Sequence, residues 1–176
     1  MTKFFPLIFI LLWSSAFITT LPIVLNSDPF SALAFRFFFV AICFYLIAIF
    51  KKIKVSVNFK NLINSFSTGI LFHGFYLGGV FYAIFIGLPT GIVALIVTLQ
   101  PILTNILAGY ILNEIISFKQ WIGVTLGFTG AVMVIGFDDG SILPMDGLIA
   151  AIIALIAITT STIWQKKVSN DIPIVV

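Results

Sequence analysis

The chain has 176 residues, of which 61% are hydrophobic and 9% charged, with a mean hydropathy of +1.23 and a formal net charge of +3. A soluble domain carries roughly a quarter charged residues, and a chain of this size cannot hide so much apolar surface from water. A water-soluble globule is therefore excluded, and lipid is the solvent for most side chains. Cys43 is the only cysteine, which excludes an intramolecular disulfide. Within its apolar run it reads as a small buried hydrophobe.

In chain order, the first apolar run is Phe4–Leu25. Lys3 ahead of it imitates a signal peptide, but the run is too long for one and no small-residue cleavage pattern follows, so it reads as a retained helix. Five more runs follow at Phe30–Phe50, Leu62–Ile86, Gly91–Leu112, Trp121–Phe137 and Gly147–Trp164. About 20 apolar residues are the length needed to cross the hydrocarbon, so the expected fold is all-α integral membrane with about six transmembrane helices. Turn chemistry separates several runs: Asn26-Ser27-Asp28-Pro29, Gly87-Leu88-Pro89-Thr90 and Asp138-Asp139-Gly140-Ser141. The connections are short, so consecutive helices should be antiparallel neighbours.

The charges divide between the two ends of this zigzag. Lys3, Lys51, Lys52, Lys54, Lys60, Lys119, Lys166 and Lys167 fall on one side; Asp28, Asp138, Asp139 and Asp146 fall on the other. The positive-inside rule puts the N-terminus in the cytoplasm and the 26–29, 87–90 and 138–146 loops outside. The chain ends on Ile172-Pro173-Ile174-Val175-Val176, an apolar start that reads as the entry to a seventh span, so an incomplete chain is expected.

The helices carry more than lipid-facing bulk. Gly91, Ala94, Thr98, Pro101, Asn105 and Ala108 share one face of the fourth helix; Gly123, Gly127 and Gly130 line the fifth; Ala150, Ala154, Ala157 and Ser161 line the sixth. Small residues let helices approach closely, so packing is the first reading of each stripe, with Gly123 and Gly127 structural. Arg36 keeps its charge about two turns into the second helix. Its burial is costly unless it snorkels to the headgroups or faces a wet cavity. His73 and Tyr76 lie one helical turn apart and should share a face of the third helix, with Tyr82 pointing elsewhere. Either His73 bonds a neighbouring helix or it lines a cavity, where it is the interior group able to titrate near neutral pH. Gln100 precedes Pro101, which removes a backbone bond and bends the fourth helix. Trp164 beside Gln165 and two lysines fits an interfacial belt; Trp13, mid-helix beside Ser14, does not and is the better cavity residue. Glu114 ends the fourth helix, where the dipole disfavours a carboxylate, and reads as structural.

Several chemistries are absent from the sequence. There is no pair of membrane carboxylates, no Cys/His metal spacing, no Walker loop and no nucleophile with a base and an acid, so no catalytic residue, metal or cofactor is assigned. The lysines of 51–60 could meet anionic lipid; nothing points to nucleic acid.

The helices also resemble a known family. LLWSSAFITTLP in the first helix, LAFRFFF around Arg36, HGFYLGGVFYAIFIGLPTGIVALIVTLQPILTNILAGYILNE across the third and fourth, and SFKQWIGVTLGFTGAVMVIG in the fifth are together similar to an EamA-type permease of the drug/metabolite transporter superfamily. The resemblance implies a ten-helix bundle built as two inverted five-helix repeats, with a site near the midplane. Residues 1–137 would be one repeat, 138–146 an external loop, and 147–176 the first helix of a second repeat whose remainder is expected in cis. It further implies a permease of the bacterial inner membrane that exports amino acids or related metabolites by alternating access, without ATP hydrolysis. Trp13, Ser14, Arg36, His73, Tyr76, Gln100 and Trp164 would line the cavity for this small-molecule substrate, and Pro101 would let the fourth helix flex. A half-transporter acting as a homodimer is the alternative, against which the strong charge bias argues. A non-transporting membrane subunit is another.

Overall fold

The structure is a computed structural model that describes residues 4–52, 58–111, 117–135 and 143–168. Every regular element among them is helical: α1 (Phe5–Asn26), α2 (Pro29–Phe50), α3 (Phe59–Gly69), a π-helical segment (Ile70–Leu77), α4 (Gly78–Phe85), α5 (Thr90–Thr98), α6 (Gln100–Ile111), α7 (Phe118–Ile135) and α8 (Met145–Val168). Hydrocarbon offers the backbone no hydrogen-bond partner, so helices that satisfy themselves internally are the expected solution.

Among the described residues five helical stretches are long and apolar enough to cross a membrane: Leu7–Asn26, Pro29–Phe50, Phe59–Phe85, Thr90–Ile111 and Met145–Val168. They coincide with five of the six expected spans. The remaining one is α7, a helix of 18 residues that is not among those five. Its expected C-terminal residues 136 and 137, the acidic pair Asp138 and Asp139, and Glu114 all lie outside the described residues.

Local chemistry sets the boundaries. Pro29 opens α2, and the Asp28 carboxylate caps it by accepting the Ser31 N–H at 2.8 Å. That backbone hydrogen bond, with a further contribution from the Ser31 side chain, holds the exposed Asp28 carboxyl below its ordinary value. Asn58 caps α3 in the same way, accepting the Lys60 N–H. At α7 the Gln120 side chain accepts the Ser117 N–H at 2.8 Å, and the Ser117 hydroxyl accepts the Gln120 N–H, a reciprocal capping box. Gly87, at φ +95°, makes the left-handed turn out of α4 that only glycine adopts without cost.

The core lies around α8. This helix packs against α3, the π segment, α4, α5 and α6. Ala151, Ala154, Ala157 and Ile158 of α8 are buried in one cluster with Tyr76, Val80, Ala83, Val93 and Val97, and Ser161 is buried as well. The small-residue stripe expected on this helix is thus a packing surface. Its closest approach is at Gly79 of α4, where a Cβ would lie 2.9 Å from the Ala150 carbonyl oxygen and 3.1 Å from the Ala154 Cβ. Only glycine fits there.

The other two stripes behave differently. On α5 and α6 it is Val93 and Val97 that are buried, whereas Gly91, Ala94 and Asn105 are half-buried and Thr98 and Pro101 exposed. On α7 a Cβ added at Gly123, Gly127 or Gly130 would meet nothing within 4 Å. Cys43, expected to be buried, is exposed on α2 among phenylalanines, because α2 turns most of its surface outward. Large apolar side chains such as Phe35, Phe38 and Phe44 cover that surface, as suits a helix whose solvent is lipid.

Candidate functional site

The third span carries the most informative local structure. Between α3 and α4 the chain winds as a π-helix over Ile70–Leu77. Such segments are rare and gather at functional sites, because the wider turn redirects side chains that an α-helix would stack. His73 and Tyr76 both lie in it. In an α-helix they would share a face; here they part. Tyr76 is 2% exposed and sits in the core, its ring 5.3 Å from that of Phe72. His73 is exposed, tilted against Phe37 of α2 at 4.6 Å and edge-on to Phe72 at 5.1 Å.

His73 lines a groove of about 450 Å³ between α2, α3 and the π segment, together with Leu33, Phe37, Ser65 and Phe66. Arg36, exposed on α2, stands within electrostatic range of His73. It lies seven residues past Pro29, about 10 Å along the helix. The groove therefore offers an imidazole and aromatic faces at membrane depth, with the fixed positive charge of Arg36 nearby on α2. A carboxylate with an apolar or aromatic body fits such a groove: the guanidinium can take the charge by a forked hydrogen bond, and the rings can stack on the body.

The remaining expected cavity residues fall elsewhere. Trp13 and Ser14 are exposed on α1, and Trp13 stacks on Phe9 of its own helix at 5.6 Å. Trp164 is exposed near the lysine-bearing end of α8. Gln100 is half-buried, and its amide nitrogen donates to the Thr104 hydroxyl at 3.3 Å and the Thr162 hydroxyl at 3.4 Å. That ties α6 to α8. A parallel bond runs from the Ser161 hydroxyl to the Thr68 carbonyl at 3.2 Å, tying α8 to α3 just before the π segment. The fourth span breaks at Leu99, whose N–H bonds back to the Ile96 carbonyl at 3.1 Å. The cause is Pro101, which has no N–H with which to continue the ladder to Val97. Phe37 and Phe72, the rings that hold His73, were not singled out from the sequence. Their signal was a phenylalanine on α2 at the depth of the histidine, lost among many similar ones. No group of three or more His, Cys, Asp or Glu that could hold a metal occurs among the described residues.

Residues 3–136 match the EamA-like transporter family. The chain belongs to that family. It is thus a multi-pass membrane protein, as the five apolar helices require. Two curated relatives are similar to it. Protein PecM of Dickeya dadantii is 29% identical over 102 residues, covering 58% of this chain and 34% of its own length. A "Probable amino-acid metabolite efflux pump" of Salmonella typhimurium is 25% identical over 171 residues, covering 97% of this chain and 55% of its own length. The chain therefore spans about half, or less, of the curated relatives it matches. No solved structure matches it.

Proposed function

We propose that this EamA-family chain forms part of a permease of the bacterial inner membrane, its N-terminus cytoplasmic, that exports amino acids or related small metabolites. Export proceeds by alternating access without ATP hydrolysis. The observation that carries the reading is the α2–π groove, which His73 lines between the rings of Phe37 and Phe72, with Arg36 within electrostatic range on α2. The similarity along nearly the whole chain to a protein named as an amino-acid metabolite efflux pump supports it.

In this reading Arg36 takes the substrate carboxylate, and the rings around His73 stack on its side chain. Among the described residues, the π segment and the Leu99 break are the two places where spans are not continuous α-helix. They can change shape at lower cost than regular helix, and Pro101 lets the fourth span flex. The test is efflux of labelled amino acids from preloaded cells expressing the protein, with membrane insertion confirmed. Arg36→Ala and His73→Ala should each slow efflux about tenfold or more, the loss of one charge-assisted contact. Normal efflux by both variants would overturn the assignment of this groove.

A further inference from the structure

A second groove lies on the other side of Phe30, between the start of α2, the π segment with α4, and α8. Its volume is about 610 Å³, within the range of sites for drug-sized molecules. Three aromatic side chains line it: Phe30, Phe75 and Tyr82, with Phe30 and Tyr82 stacked at 6.2 Å. Gly74 and Gly78 leave its floor low. On α8 it runs from Asp146 past Ile149 to Ile153, seven residues or about 10 Å of depth. Asp146 is the one charged side chain among the described lining residues, which include no lysine or arginine to answer it.

We propose that this groove binds an organic monocation: an ammonium group carrying an aromatic or alkyl body. The carboxylate at the mouth takes the positive charge, and the electron-rich faces of Phe30 and Tyr82 add cation–π attraction. The apolar body descends along Ile149 and Ile153 over the glycine floor. Asp146 stands in the first turn of α8, where the helix dipole suits an acidic side chain. An amino-acid carboxylate is repelled here, so the site differs in charge preference from the groove near Arg36. A zwitterionic phospholipid is disfavoured for the same reason: its phosphate would meet Asp146 with no lining cation to hold it. The proposal goes beyond the export reading and does not rest on it.

The test is equilibrium binding of labelled benzyltributylammonium to the purified chain in phosphatidylcholine nanodiscs, a readout that needs no transport. Saturable binding is expected. Asp146→Asn, which keeps the shape and removes the charge, should weaken it about tenfold or more. Tyr82→Leu should weaken it about threefold. Ile153→Trp should block it by filling the groove from a side chain that is exposed and not part of the packed core. His73→Ala and an excess of benzenesulfonate should leave it unchanged. Absence of saturable binding, or binding untouched by both Asp146→Asn and Ile153→Trp in variants of normal helicity, would overturn the proposal. So would loss of binding in His73→Ala, which would put the cation in the neighbouring groove. Displacement of the probe by phosphatidylethanolamine would overturn it too, by making the site a lipid site.

Discussion

α2 and α8 are both apolar enough to span a bilayer, yet 6% of the most apolar stretch of α2 is buried against 56% for α8. Overall hydropathy does not separate them; side-chain size does. α2 is dominated by phenylalanine and branched aliphatics, most of them exposed, whereas α8 presents Gly147, Ala151, Ala154, Ala157 and Ser161 inward. In lipid there is no hydrophobic drive to bring helices together, so association depends on close packing and on hydrogen bonds between helices. Small residues supply the first and hydroxyls the second. The most buried of the five described spans is accordingly the one that turns its small residues inward.

The largest effect that would break this contrast is at Gly79. Leucine there would collide with the Ala150 backbone, which cannot move aside without shifting α8. Gly79→Leu should cost about 3 kcal/mol, the upper end of overpacking penalties, read as a shift in an SDS-unfolding midpoint. Gly123→Leu on α7, where a Cβ meets nothing within 4 Å, should stay within about 0.5 kcal/mol. Equal losses in the two variants would mean that the α4–α8 contact is not what holds α8.

This pair also marks what was legible in advance. Five of the six expected spans, the turn at residues 26–29 and the alanine stripe of α8 follow from composition and period, and the structure carries them. The glycine stripe of α7 looked equally good on paper, yet no residue described in this chain packs against it. A stripe states that a helix can be approached, not which helix approaches. The π segment was not legible, because a shift of one residue in hydrogen-bond register leaves no mark on side-chain type. It is what separates His73 from Tyr76, so that part of the candidate site could not be read from spacing. Arg36 was found because a charge in an apolar run is costly wherever it points; Phe37 and Phe72, the rings against His73, were not, being ordinary residues in such helices.

A middle-sized effect should come from the polar ties of α8. Gln100→Leu removes the donor to the Thr162 hydroxyl. Hydrogen bonds between membrane helices average about 0.6 kcal/mol by double-mutant cycles. The cycle of Gln100→Leu with Thr162→Val should return a coupling of about that size, while Gln100→Leu with Gly123→Leu should return none. Zero coupling in the first cycle would sharpen the contrast further, leaving small-residue packing and the Ser161–Thr68 bond to hold α8.

The smallest effect belongs to the exposed side of the comparison, at the cap of α2. Asp28 accepts the Ser31 N–H most strongly as a carboxylate, and this hydrogen bond holds its folded pKa below the ordinary 3.8. A depressed carboxylate contributes stability that is fully present above its unfolded value and lost as pH falls through its folded value. The wild-type protein should therefore melt slightly above Asp28→Ala at pH 7, with the gap closing as the pH is taken below about 4. Asp28→Asn keeps an acceptor for the Ser31 N–H and should melt between the two, its difference from Asp28→Ala independent of pH. Because Asp28 is fully exposed, water and salt screen the contribution of its charge. The whole effect should accordingly remain well below that of Gly79→Leu, as expected if α2 is held by lipid on most of its surface and by its cap at one end. A cap effect as large as the Gly79 collision would mean that α2 is anchored chiefly at its terminus, and that its exposed phenylalanines contribute little to holding it in place.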